Sequence, residues 1–116
     1  MKPHYSPSIR AGDLIFISGQ LPLFDRASAS MPASIADQTR LVLQRTEELL
    51  LSHGLNRQHI VKTTAYITDI KQWPVVNEIY AEFFGDHKPA RSVVPVSTLH
   101  FGCSIEVESI ASVHLA

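Results

Sequence analysis

Residues 104–114 alternate between two kinds of side chain without a break, and that alternation constrains the fold more than any other stretch of the chain. Ile105, Val107, Ser109, Ala111 and Val113 fall on one side, and Glu106, Glu108 and Ile110 on the other. A repeat of two is the repeat of an extended strand. One side of this strand suits a core, while the other carries two carboxylates. Such a strand fits a sheet that is covered on one face only. Residues 60–68 carry the same message in β-branched residues. There Val61, Thr63, Ala65 and Ile67 point one way, and Lys62, Thr64, Tyr66 and Thr68 the other.

Two stretches of helical period supply the cover. Ser34 is a good N-cap, and Asp37 three residues on forms a capping-box-like pair with it. Ile35, Val42, Leu49 and Leu50 then recur near the helical period, and Gly54 ends the helix. Asp69 and Pro74 frame a second helix, in which Val76, Ile79, Tyr80 and Phe83 form one apolar stripe and Gly85 is the stop. Leu14-Ile15-Phe16-Ile17 reads as a buried strand ending at Ser18-Gly19, and residues 21–30 as a loop. Residues 91–97 read as a strand that Pro95 confines to an edge or a bulge. The order is strand, helix, strand, helix, strand, strand. It predicts an α+β fold, a mixed β-sheet with two helices on one face, in a single domain over residues 1–116. The other face, with Lys62, Thr64, Tyr66, Glu106, Glu108 and Ile110, reads as an oligomer interface or a cleft.

Charge and composition narrow the function. The formal net charge is −1 and the basic residues are scattered, which disfavours a nucleic-acid partner. No apolar run is long enough to cross a bilayer, so no membrane partner is expected. The N-terminal ten residues lack the apolar stretch of a signal peptide. Cys103 is the one cysteine, so no intrachain disulfide can form. A cytoplasmic location is the expectation. The six histidines form no metal-binding pair on one helix face, and no P-loop, nucleophile elbow or dinucleotide fingerprint occurs. Neither a metal nor a cofactor is expected.

Three places could carry chemistry. Ser18-Gly19-Gln20 sets a hydroxyl and a flexible backbone at a strand end. Pro89-Ala90-Arg91-Ser92 opens a strand with a guanidinium, and Glu106 stands within a β-branched strand. Taken singly, each reads as a turn, a solvated arginine and a wet-face carboxylate.

Together and in order, they resemble the RidA/YjgF family. The resemblance rests on Tyr5-Ser6-Pro7, on the run from Gly12-Asp13 through Ser18-Gly19-Gln20-Leu21-Pro22, and on Asp37-Gln38-Thr39. It continues through Ile60-Val61-Lys62-Thr63-Thr64-Ala65-Tyr66-Ile67-Thr68-Asp69 and Val76-Asn77-Glu78-Ile79-Tyr80. Pro89-Ala90-Arg91-Ser92 and Ile105-Glu106-Val107-Glu108-Ser109-Ile110-Ala111 complete it. The resemblance implies a chorismate-mutase-like fold in a barrel-like homotrimer with ligand clefts between subunits. It implies hydrolysis of reactive 2-imino or enamine acids, of the 2-iminobutanoate/2-iminopropanoate type, to 2-oxo acids and ammonia without a cofactor. On this reading Arg91 holds the substrate carboxylate and Glu106 orients the attacking water. Tyr5 closes the cleft, and Ser18 and Asn77 line or support it.

The chain departs from the family's usual pattern in three places. Pro3-His4 precedes the tyrosine, Val93 replaces a common cleft cysteine, and Leu99-His100-Phe101-Gly102-Cys103 replaces a Leu-Pro-charged loop. Two alternatives share Arg91 or bypass it: a non-catalytic trimer that binds small carboxylates, and a stress-related, chaperone-like protein.

Overall fold

A computed structural model describes residues 2–115. The chain runs β1 (Ser8–Ala11), β2 (Leu14–Gln20), α1 (Ile35–Leu51), β3 (Ile60–Ile67), α2 (Trp73–Phe84), β4 (Ala90–Pro95) and β5 (Ile105–Ser112). The strands form one five-stranded sheet in the order β1-β2-β5-β3-β4. Only β3 and β4 pair in parallel, through the crossover helix α2; the other pairs are antiparallel. The sheet is therefore mixed, as expected. Pro95 closes β4, the edge strand, where a missing N–H disturbs no ladder.

Both helices cover the same face of the sheet. Val42, Leu43 and Leu50 of α1 and Val76, Ile79, Tyr80 and Phe84 of α2 pack there against Ile15, Ile17, Ala65, Ile67, Ile105 and Val107. Ser34 caps α1 by accepting the Asp37 N–H at 3.1 Å. Asp37 does not reach back to complete a capping box; its carboxylate pairs with Arg40 at 2.7 Å. The buried hydroxyls of Thr39 and Thr46 donate to the carbonyls of Ile35 and Val42, so α1 can bury them without loss. Gln38 fixes the start of β5. Its amide donates to the Pro32 carbonyl at 3.0 Å, and its oxygen accepts the Ser104 N–H at 2.9 Å.

Three further details differ from the sequence reading. The N-terminal segment adds β1, joined to β2 by a two-residue turn in which Gly12 takes φ 61°. In β3 the register shifts between Ile60 and Lys62, so Ile60 is fully buried and Val61 only half-buried. In α2 Phe84 fills the core position expected for Phe83. The Phe83 ring instead lies 3.9 Å beneath the Arg57 guanidinium, which Glu47 holds at 2.6 Å. Among the described residues no helix covers the other face of the sheet. Lys62, Thr64, Tyr66, Glu106, Glu108 and Ile110 lie there, joined by Ile9 and Phe16, which are 55% and 42% exposed.

Candidate functional site

The expected site residues separate into two groups on opposite faces of the sheet. Arg91 stands opposite Thr63 in the β3–β4 register, and Thr63 points into the buried, helix-covered side. Asn77 of α2 meets it, accepting a hydrogen bond from Arg91 Nη1 at 3.1 Å. The guanidinium also lies 4.9 Å from the centre of the Tyr80 ring. Tyr80 is held in turn by a 3.0 Å hydrogen bond between its hydroxyl and that of Thr63. Burial raises the Tyr80 pKa above its usual value, opposed by the Thr63 hydrogen bond and by Arg91, so the ring stays a neutral platform. Among the described residues no carboxylate lies within ion-pairing distance of Arg91. A fixed guanidinium with neutral partners and unused N–H groups is a ready grip for an anion. A recess of about 450 Å³ beside it is bounded by Asn77, Tyr80, His87, Lys88 and Arg91.

Glu106 belongs to the second group, with Tyr5 and Ser18. It pairs with Tyr66 in the β3–β5 register, on the uncovered face. The β2–β5 register shifts between Ile17 and Gln20, which leaves Ser18 and Gly19 in a bulge beside the carboxylate. A Cβ built on Gly19 would stand 2.5 Å from Glu106 Oε2, so only glycine leaves the carboxylate its place. Ser18 does not offer its hydroxyl to the cleft. It donates to the Ser6 carbonyl at 2.7 Å, while its N–H bonds the Pro7 carbonyl at 3.0 Å. Ser18 thus pins the segment that carries Tyr5. Burial, the largest cause, raises the Glu106 pKa above the ordinary carboxylate value; Glu108 adds to the rise, and His100 and Arg26 oppose it. Glu108 is occupied by the Tyr66 hydroxyl, which donates to it. The cleft around Glu106 measures about 690 Å³, with Tyr5, Gly19, Arg26, His100 and Phe101 along its walls.

The two recesses share no residue, so one chain does not bring Arg91 to Glu106. Sequence reasoning placed Tyr80 in the core stripe and missed that it also carries the guanidinium. Its spacing of three from Asn77 on one helix was the available signal. Arg26 and His100 lie in segments without periodicity, and nothing in the sequence points them toward Glu106. Val93, two residues from Arg91 along β4, packs against the core. Among the described residues no group of His, Cys, Asp and Glu is arranged to hold a metal ion. Among the described residues no helix is long and apolar enough to cross a membrane.

Fold and site define a class: a small α+β domain with one bare sheet face, and with a carboxylate recess and a guanidinium recess on opposite sides. The profile of the endoribonuclease L-PSP family matches residues 1–113. The RutC family protein PH0854 of Pyrococcus horikoshii is 40% identical over 107 residues, 92% of this chain and 85% of that protein. The chloroplastic Reactive Intermediate Deaminase A of Arabidopsis thaliana is 39% identical over 108 residues, 93% of this chain and 58% of that one. Among solved structures, Escherichia coli TdcF with bound serine superposes with a TM-score of 0.86 at 34% identity, covering 97% of this chain and 89% of that one. The chain belongs to the RidA/YjgF family.

Proposed function

We propose that the protein hydrolyses small reactive 2-imino acids, and their enamine tautomers, to 2-oxo acids and ammonia. The work is done in clefts where Arg91 of one copy meets Glu106 of the next in a homotrimer. One observation carries the reading: the Arg91 guanidinium is oriented by Asn77 and Tyr80, and among the described residues no carboxylate lies close enough to neutralise it. The deaminase name of the Arabidopsis relative and the amino acid bound to TdcF fit a small carboxylate ligand. The bare sheet face, with Ile9 and Phe16 exposed, supplies the apolar surface that assembly would cover.

The chemistry follows from the residues. Arg91 takes the substrate carboxylate by a two-point contact, which fixes the adjacent imine carbon. Glu106, its basicity increased by burial, accepts a proton from water as the water oxygen bonds that carbon. The C=N electron pair of the protonated imine moves to nitrogen and gives a neutral carbinolamine. The nitrogen then takes back the proton held by Glu106, the C–N bond breaks, and the hydroxyl gives its proton to the Glu106 carboxylate as its oxygen becomes the carbonyl of the 2-oxo acid and ammonia leaves. Imines already hydrolyse in water, so positioning and a local base suffice for catalysis.

The endoribonuclease description of the family suggests RNA instead. A net charge of −1 and two carboxylates in the larger cleft are poorly suited to a polyanion. The test couples an amino-acid oxidase to the purified protein and traps the remaining imine with semicarbazide. Wild type lowers trapping, whereas R91A and E106A do not. Equal trapping with and without wild-type protein, across several amino acids, removes the deaminase reading. Trapping lowered equally by R91A removes the role of Arg91.

A further inference from the structure

The Glu106 cleft contains a second guanidinium, which has the same kinds of partner as the first but is more exposed and more loosely held. Arg91 lies over the Tyr80 ring, at 4.9 Å, and gives one N–H to the neutral Asn77 oxygen. Arg26 lies over the Phe101 ring, at 5.8 Å, and gives one N–H to the neutral Tyr5 hydroxyl at 3.4 Å. Among the described residues neither has a carboxylate within ion-pairing distance. The acid next to Arg26 in sequence is used elsewhere: the Asp25 carboxylate accepts the Ala27 N–H at 3.0 Å and closes its own turn. That turn sits in a loop closed by the Phe24 N–H to Ser30 carbonyl bond at 2.8 Å and the Asp25–Ser30 bridge. The loop presents Arg26 at the cleft wall.

Phe101 holds its side of the arrangement in an unusual conformation. It takes φ 61°, a region that costs a non-glycine residue roughly 1–2 kcal/mol. The residue nonetheless stays 44% exposed, at the cleft and outside the core. An aromatic ring kept in the open beneath a guanidinium orients that guanidinium. Of the two carboxylates along the cleft, Glu108 is occupied by the Tyr66 hydroxyl, and Glu106 is the group assigned to water.

We propose that Arg26 is a specificity-determining residue that takes a second carboxylate, so that the preferred substrates are dicarboxylic 2-imino acids of four or five carbons. This rests on the deaminase reading, because Arg91 of the neighbouring copy must hold the first carboxylate. In the assembled cleft the substrate then spans two guanidiniums, with the reacting carbon at Glu106. A monocarboxylic imine makes one of the two contacts, so the second grip appears as selectivity.

The test uses binding first, since binding does not require turnover. Titration calorimetry on the intact protein compares oxaloacetate and 2-oxoglutarate, the dicarboxylic products, with 2-oxobutanoate. Wild type is expected to bind the better dicarboxylate at least about tenfold more tightly, the weight of one further charge-assisted contact. R26Q is expected to abolish that preference and R26K to retain part of it, while R91Q weakens all three ligands. The same preference is expected in the trapping assay, as a kcat/KM ratio for aspartate- or glutamate-derived imine over alanine-derived imine that collapses in R26Q. Equal binding of dicarboxylic and monocarboxylic acids by wild type, or a preference that survives R26Q, overturns the inference. Absence of any imine hydrolysis alongside a preference that depends on Arg26 overturns only the deaminase reading.

Discussion

The carboxylate of Glu106 keeps its place because Gly19 has no side chain. Gly19 does not need glycine for its backbone, since its φ is not among the positive ones; the need is for space alone. G19A is therefore expected to fold normally but to push the carboxylate aside. Imine hydrolysis should fall by about tenfold or more, the scale on which a misplaced catalytic group acts. Unchanged kcat with an unchanged melting temperature would contradict this. The same carboxylate sets the pH dependence. Glu106 is raised above the ordinary 4.5, chiefly by burial and then by Glu108, so the base loses its charge at a higher pH than a free glutamate would. The acid limb of kcat/KM should lie above 4.5 and move down in E108Q, which removes the second cause. The sign for folding is the opposite of the usual carboxylate case. The folded state holds this proton more tightly than the unfolded chain, so Glu106 costs stability as pH rises through that window. A pH titration of melting temperature should show that cost in wild type and not in E106Q. Arg91 and Glu106 could be picked out as a guanidinium at a strand entry and a carboxylate among β-branched residues, but singly each reads as an ordinary surface group, and only the ordered resemblance to the family gave them tasks. The tasks of Gly19 and Arg26 were not legible, because each depends on a neighbour distant in sequence.

At the scale of elements, alternation and helical period located both helices and four of the five strands. β1 escaped because four residues, Ser-Ile-Arg-Ala, carry too little pattern to separate from a loop. The two register shifts escaped for a related reason. A bulge inserts a residue without changing composition, so Val61 was assigned to the core side and Ile60 took its place. Helix α2 shows how packing and site are joined. Its buried stripe carries Tyr80, which binds Thr63 of β3 on one side and supports Arg91 of β4 on the other. T63V keeps the shape of the side chain and leaves the buried Tyr80 hydroxyl without a partner. It is expected to cost about 1–3 kcal/mol in chemical denaturation and to raise KM by loosening the platform under Arg91. A stability change near zero would mean that the hydroxyl finds another partner.

For the whole molecule, a sheet with one covered face was predicted from two strands, and the five-stranded sheet has that form. What the sequence could not reveal is that the Glu106 and Arg91 recesses lie on opposite faces, since the relation depends on the order β5-β3-β4 across the sheet. That arrangement is the physical reason for proposing a site shared between copies. Mixing two inactive variants tests it most directly. R91A retains Glu106 and E106A retains Arg91, so refolding equal amounts together should recreate a complete site wherever the two meet in the right order. In a closed ring of identical contacts, about one site in four is then intact. With a shared site, each variant alone is inactive and the mixture recovers about a quarter of wild-type activity. Mixed oligomers no more active than the separate variants, or a wild type that is active as a monomer, would contradict it.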